Sequence, residues 1–437
     1  MLFCDNKILY NITLHNMKTN NILIILFIVI ITICVIYNFL KVSIARMFVF
    51  YILHGLNKGN FLLIDKHDNE IIRIENDSKK DMPIMKIINE DNFFTKIFSL
   101  GEVGLGESYM NGDWISNDLS GFMSSMSLNM NNTRIPDVSI GKIFNTDLDY
   151  DKSNIVHHYD VGNDFYMTFL KDDLSAYTCG FWFNRTDTLN DAQYNKINII
   201  IKKMNPEENK RILDIGCGWG KIANYVANKT KCKVSGITIS DEQVLYANQT
   251  FNKNNVQIKN MDYRLVNEKF DYIYSIGMFE HVRYENYDSF FQMIKRCLNK
   301  DGRFVLHTII TFDETNKNAN KEGYFVTKHI FPGGQIPRND WILEKVRNNG
   351  LNIIHFEGFG GQHYARTLKK WREYMIESKA YILEKYGIEL FLKYEYYFAS
   401  CEAAFDTGSM GIGHYIIVSD DILTTSKSTY HNMINTK

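Results

Sequence analysis

The run Arg211-Ile212-Leu213-Asp214-Ile215, closed at once by Gly216-Cys217-Gly218-Trp219-Gly220, constrains the fold more than any other stretch of this chain. An apolar strand meets three alternate glycines, and Ile222, Ala223, Val226 and Ala227 then recur at helical spacing. Glycines at such a turn let the backbone approach a ligand and adopt positive φ. The pattern continues with a strand over Lys233–Thr238 and a helix opened by Ser240, where Gln243 completes a Ser-x-x-Gln capping box. Phe270–Ile276 and Gly302–Ile309 read as buried strands around an Asn286–Cys297 helix. Such alternation predicts an α/β domain over residues 151–420, a doubly wound and mostly parallel sheet that binds ligands at the carboxyl ends of its strands.

The glycine turn alone fits a methyl donor, a nucleotide cofactor or a structural bend. Two details favour S-adenosylmethionine. Asp214 stands at the strand end, where an acid suits a cationic amino-acid group better than a pyrophosphate. Asp262-Tyr263 lies shortly before the Phe270 strand, where an adenine would be held. The strand ending at Thr238 lacks the usual ribose-binding acid; Gln243 either substitutes for it or only caps the helix.

Upstream, Phe61–Ile64 and Glu70–Ile74 read as strands within a smaller α+β domain at 46–125, which also holds the Gly-rich stretch Gly101–Trp114. Residues 126–150, rich in Asn, Ser and Asp, read as a linker, and 421–437 as a tail. No charge occurs from Thr19 to Leu40, a length that spans a bilayer as a helix, so 1–45 reads as a tail with a hydrophobic anchor helix. No small-residue cleavage site follows it. Lys41, Arg46 and Lys58 outnumber Lys7 and Lys18, which places the catalytic domain in the cytosol. The seven cysteines form no CxxC pair, so neither a disulfide framework nor a metal site is expected. A net charge of -1 gives no field that would recruit nucleic acid.

Several blocks, in order, resemble the cyclopropane-fatty-acyl-phospholipid synthase family, whose catalytic domain the mycolic-acid cyclopropane synthases share. They include His158–Tyr166, Tyr177–Trp182, Leu213–Gly220, Gly236–Ser240, Gly277–Val282, Leu306–Ile309, Ile330–Gly334 and His363–Leu368. Gly104–Met110 resembles the N-terminal domain of the bacterial phospholipid enzymes. The resemblance implies the class I S-adenosylmethionine-dependent methyltransferase fold. It implies that Tyr177, Gly216, Gly218, Gln243, Asp262 and Tyr263 contact the cofactor, with Asp214 and Thr238 beside them. It further implies that Cys179, Glu280, His307, Ile309 and Tyr364 surround a bound bicarbonate. The expected partners are membrane phospholipids with unsaturated acyl chains; a homodimer stays open. The N-terminal anchor departs from the family, and Thr315–Lys321 reads as an enlarged loop.

The implied chemistry suits these residues. Attack of an alkene on a sulfonium methyl leaves a carbocation, and ring closure needs a weakly nucleophilic base beside it, shielded from water. Each residue also has a plainer reading. Glu280 could cap the following helix, His307 and Cys179 could be core residues, and the stripe Tyr364, Leu368, Trp371, Met375 reads as core. Lys369, Lys370 and Arg372 read as a solvated face open to lipid phosphate. The competing functions are N-methylation of a small amine, acyl C-methylation without ring closure, and an inactive lipid-binding scaffold.

Overall fold

A computed structural model describes residues 40–77, 81–130, 162–251, 255–311 and 325–419. The expected anchor over 19–40 therefore lies outside the described residues save for Leu40, as do the enlarged loop at Thr315–Lys321 and the C-terminal tail. Among the described residues no helix is long and apolar enough to cross a membrane.

Residues 40–54 form helix α1. Strands β1 (Asn60–Ile64), β2 (Glu70–Glu75), β3 (Ile84–Ile87) and β4 (Trp114–Ser116) follow and form a sheet ordered β2-β1-β3-β4. β1 and β2 pair as the expected hairpin, its turn tied by Asp65 Oδ1, which accepts from the backbone of His67 and Asn69 at 2.8 Å. Helices α2 (Glu90–Leu100), α3 (Glu102–Met110) and α4 (Leu119–Met130) complete this unit. The glycines of α3 act by close approach. A Cβ on Gly104 would stand 2.1 Å from the Lys96 carbonyl oxygen, and one on Gly106 would stand 2.2 Å from the Phe325 ring. The stretch read as a linker from 126 is helical to Met130. Its polar residues serve packing: Asn129 Oδ1 accepts from the backbone of Asn57 and Lys58 at 3.0 and 3.1 Å. The rest of that stretch, 131–150, lies outside the described residues.

The second sheet comprises β5 (Arg211–Ile215), β6 (Lys233–Thr238), β7 (Val256–Asn260), β8 (Phe270–Ile276), β9 (Leu298–Ile310), β10 (Leu351–Phe359) and β11 (Gly411–Ser419). Its order is β10-β11-β9-β8-β5-β6-β7. β5 to β9 run parallel, and β11 lies antiparallel to both β9 and β10, so the sheet is mostly parallel as expected. The helices that place site residues are α5 (Leu189–Met204), α6 (Lys221–Thr230), α7 (Asp241–Thr250), α8 (Tyr287–Cys297), α9 (Asn339–Asn348), α10 (Gln362–Glu377) and α11 (Ile388–Asp406). Strand order reverses at β5, and the glycine turn sits at that switch point.

The two sheets share an interior. Phe61 and Trp114 of the small sheet and Phe122 of α4 belong to one apolar cluster with Trp371 of α10 and Tyr396, Phe398 and Phe405 of α11. Polar ties reinforce it: the Tyr109 hydroxyl donates to Glu395 Oε2 and the Ser120 hydroxyl to Glu402 Oε2, each at 2.8 Å. Tyr364, Leu368, Trp371 and Met375 are buried, as their spacing predicts. Arg372 departs from the solvated face read for it. Its side chain is 17% exposed and donates to Glu402 at 3.3 Å, so it braces the joint between the sheets.

Candidate active site

The three glycines after β5 divide the work. All have positive φ, at 80° for Gly216, 53° for Gly218 and 75° for Gly220. A Cβ on Gly216 would meet Met278 at 2.6 Å, and one on Gly220 would meet Ala247 at 3.1 Å, so both glycines allow protein packing. Among the described residues a Cβ on Gly218 meets nothing within 4 Å. Gly218 therefore keeps space open at the turn, a cradle that fits a cofactor. The backbone nitrogens of Gly216 and Cys217 both donate to Ile237 O at 3.0 Å, which locks the turn to β6.

Asp214 is buried, and its Oδ2 accepts from the Tyr274 hydroxyl at 2.8 Å. Burial raises its carboxyl to about 7, against which the Tyr274 bond works. In the protein alone this acid is braced by β8 through the Tyr274 hydroxyl. Thr238 and Gln243 form a second corner. The Thr238 hydroxyl donates to Gln243 Oε1 at 2.7 Å, and Ser240 N donates to Thr238 Oγ1 at 3.3 Å. Ser240 does cap α7, accepting from Gln243 N at 3.4 Å, but the reciprocal half of the expected capping box is absent because the Gln243 side chain turns inward to Thr238. Gln243 Nε2 has no hydrogen-bond partner among the described residues.

Met261 N donates to Thr238 O at 2.9 Å, which brings the loop after β7 alongside the end of β6. Asp262 Oδ1 accepts from Arg264 N and Nε, both at 2.9 Å, and the Tyr263 ring lies 5.3 Å from Phe290. Tyr177 is more distant in sequence. Its ring packs 5.2 Å from Trp371 and 5.6 Å from Tyr166, itself 6.0 Å from Trp219 of the glycine turn. The Tyr177 hydroxyl donates to Tyr397 at 3.3 Å. The ends of β5, β6 and β7 thus gather Gly216, Gly218, Thr238, Gln243, Asp262 and Tyr263, with Tyr177 across an aromatic wall.

The second group lies at the ends of β8 and β9. Glu280 follows β8 in a short 3₁₀ turn, Phe279–His281. It does not cap a helix: its Oε1 accepts from Ile309 N at 2.7 Å. Its Oε2 is buried without a hydrogen-bond partner. Burial raises the carboxyl to about 7, while the Ile309 bond pulls the other way. An orphaned carboxyl oxygen of this kind demands a ligand or a water to satisfy it; ionised, it would accept the O–H of a bicarbonate, a small oxyanion that can also donate. Tyr364, at the first turn of α10, is buried close enough to Cys179 and Glu280 that burial first and then their charges hold its hydroxyl well above the ordinary phenol value. Cys179 is fully buried, and burial raises its thiol likewise, so it acts as a neutral wall rather than a nucleophile.

His307 is on β9, two residues before Ile309, but it makes no hydrogen bond to the other four. Its Nδ1 lies 2.7 Å from Nε2 of His414 on β11. Burial drives both imidazoles well below their ordinary value, so both are neutral. The structure thus bonds Glu280 to Ile309 directly, brings Tyr364 near enough to Glu280 and Cys179 to feel their charges, and ties His307 to a separate polar chain.

Two buried groups escaped the sequence reading. Lys196 on α5 is fully buried, and its ammonium donates to Thr178 Oγ1 at 2.5 Å and Gln193 Oε1 at 2.6 Å, beneath the segment that carries Cys179. Burial lowers it to about 8. The signal was present, since Leu189, Ala192, Lys196 and Ile200 share one helical face. His414 carries no motif signal, because only pairing of β11 with β9 sets it opposite His307.

The sequence pattern of the family described as mycolic acid cyclopropane synthetase matches residues 146–415. The cyclopropane-fatty-acyl-phospholipid synthase of Escherichia coli (strain K12) is 33% identical over 327 residues, 73% of this chain and 83% of that protein. A solved mycolic acid cyclopropane synthase complexed with SAH and CTAB gives a TM-score of 0.57 at 28% identity, covering 61% of this chain and 97% of that one. Coclaurine N-methyltransferase bound to N-methylheliamine and SAH gives 0.59 at 16% identity over 72% of this chain and 99% of its own, a likeness of fold alone.

Proposed function

The chain belongs to the mycolic acid cyclopropane synthetase family, and on that premise we propose that it adds a methylene from S-adenosylmethionine across the cis double bond of an unsaturated acyl chain in a phospholipid. The observation that carries this reading is the buried, unpartnered Oε2 of Glu280 beside Tyr364 and Cys179. N-methylation forms no carbocation and has only a nitrogen-bound proton to remove, whereas ring closure must take one from carbon. The small sheet fused to the catalytic core further favours a lipid substrate over a small amine.

S-adenosylmethionine supplies the electrophilic methyl when bound. Gly218 leaves room for it, the free Gln243 Nε2 is a donor suited to a ribose hydroxyl, and Tyr263 offers a ring to an adenine. The alkene's electron pair would take that methyl, the sulfur keeping the electrons of the bond it gives up, and a cation would remain on the acyl chain. A methyl C–H bond then breaks, its electrons close the ring, and the proton leaves to a base. Bicarbonate, when bound, would supply that base. Glu280 and the Ile309 backbone line its site, Tyr364 presents a phenol that burial keeps protonated, and neutral Cys179 closes the wall. The rings of Tyr177, Trp371 and Phe331 pack together, an apolar wall suited to keeping water from the cation.

Expression in a bacterial host lacking cyclopropane lipids tests the reading. Lipid mass spectrometry should show monounsaturated chains gaining one methylene in a form that resists hydrogenation. A methylated product that still takes up hydrogen would mean alkylation without ring closure, and unchanged lipids with methylated amines would favour the N-methyltransferase.

The chain also reads as membrane-anchored through its uncharged N-terminal stretch. What supports this is α1: Leu40, Ile44, Met47 and Tyr51 are exposed along one side, at 51%, 48%, 69% and 66%, while Ala45 and Val49 are buried in the core. An apolar stripe facing outward, running on from an uncharged stretch, suits the interfacial layer of a bilayer. Deleting residues 1–42 should release the protein from membranes while preserving turnover on detergent-dispersed lipid. Pelleting of the deleted protein after a carbonate wash would refute the anchor.

A further inference from the structure

A line of polar groups runs from the surface to His307. Glu357 Oε2, on the half-exposed face of β10, lies 2.6 Å from Lys203 Nζ. Lys203 Nζ lies 2.9 Å from His414 Nδ1, and His414 Nε2 lies 2.7 Å from His307 Nδ1. Lys203 is 11% exposed, and both imidazoles are buried. Aromatic rings hold the pair in place: Phe181 is 5.2 Å and Phe359 5.0 Å from the His414 ring.

This line has a direction. A lysine ammonium carries donors only, so His414 Nδ1 must accept from it. A neutral imidazole carries one N–H, so the proton of His414 sits on Nε2 and is donated to His307 Nδ1. The single proton of neutral His307 is then on Nε2. We propose that Lys203 and His414 are positioning residues that fix His307 as an Nε2–H donor for an oxyanion bound among Glu280, Ile309 and Tyr364. The proposal rests on the bicarbonate reading above. It gives His307 a role that its lack of a hydrogen bond to the other four residues had left open, and it makes that role depend on a charge two residues away in the chain of contacts. The charged groups around the line are Glu357 and His355 at its outer end and Lys196 near His307. Burial works to discharge Lys203, and the Glu357 carboxylate opposes it. Loss of the Lys203 proton would free both tautomers to invert, and His307 Nε2 would then repel an anion as a lone pair.

The test uses the full chain labelled with ¹⁵N-histidine, the His307 resonances being identified by their loss in His307→Gln. Long-range proton–nitrogen spectra should show Nε2 protonated and Nδ1 bare. Lys203→Met and His414→Leu should populate the opposite tautomer, whereas Lys203→Arg, which still only donates, and His414→Gln, which can accept and donate in the same order, should keep it. Titration with ¹³C-bicarbonate should show roughly tenfold weaker binding in Lys203→Met, equivalent to about 1.4 kcal/mol, with calorimetric S-adenosylmethionine affinity unchanged as the check on folding. Protonated Nδ1 at His307 in the wild type, or a tautomer indifferent to Lys203→Met, overturns the array while leaving the anion site standing. Absence of bicarbonate binding to the wild type overturns the anion site and the donor role with it.

Discussion

Glu280→Gln should lower turnover by about 10²–10⁴-fold, the range of a lost proton-transfer group, without weakening S-adenosylmethionine binding. The amide keeps the shape and can still accept from Ile309 N through Oε1. What it loses is a titratable oxygen at the position of the unpartnered Oε2. Burial sets the wild-type carboxyl at about 7, so it can hold or release a proton near neutrality, and an amide cannot. Turnover of the wild type should therefore rise as pH increases through about 7, when the carboxylate becomes able to accept a proton, and the variant's profile should lack that limb. The stability effect has the opposite sense. The folded value lies above the ordinary 4.5, so between the two the native state holds a proton that the unfolded state has released. Burial of Glu280 is thus least costly below pH 4.5 and opposes folding increasingly as pH rises through about 7. At pH 8 the variant should consequently be at least as stable as the wild type, which separates a chemical defect from misfolding. Bicarbonate removal and restoration completes the experiment. Full activity without bicarbonate, joined to a near-normal rate for Glu280→Gln, would sink the cyclopropanation mechanism.

Gly218→Asn should weaken S-adenosylmethionine binding at least about a hundredfold, or ~2.7 kcal/mol, in a protein that still folds. The backbone there has φ 53°, a left-handed conformation that Asn tolerates better than other side chains. Among the described residues nothing stands within 4 Å of the added Cβ, so the new side chain competes with what enters that space. Gly216→Val is a poorer experiment, because its Cβ would strike Met278 at 2.6 Å and damage the loop that leads to Glu280. Undiminished calorimetric binding to a folded Gly218→Asn protein would remove the cofactor from this turn.

The parts of the fold legible in the sequence are those where local pattern and burial agree. Arg211–Ile215 is an apolar run that a central parallel strand requires, and the turn after it needs positive φ at three places that only glycine occupies cheaply. Glu280, Ile309 and Tyr364 were legible as members of motifs, and the structure supplies the hydrogen bond between the first two. What escaped was decided by distant pairing. Arg372 looks solvated in its own helix, but Glu402 on α11 claims it. Gln243 has the spacing of a reciprocal cap, and a stronger partner, the Thr238 hydroxyl, turns it inward. Lys196 shares a face with Leu189 and Ile200, where a lysine would ordinarily be excluded; only the oxygens of Thr178 and Gln193 make its burial tolerable.

The interior that the two sheets hold in common has a geometrical result. Among the described residues Trp114 and Phe122 on one side and Tyr396 and Phe405 on the other share one apolar cluster with no seam at which the halves could pivot, and Gly106 draws α3 in too tightly against Phe325 for a sliding joint. Whatever fixes the attitude of the first sheet, whether a bilayer beneath α1 or anything else, sets the aim of the catalytic strand ends as well. The protein has a stock and a barrel cast in one piece: to point one is to point the other.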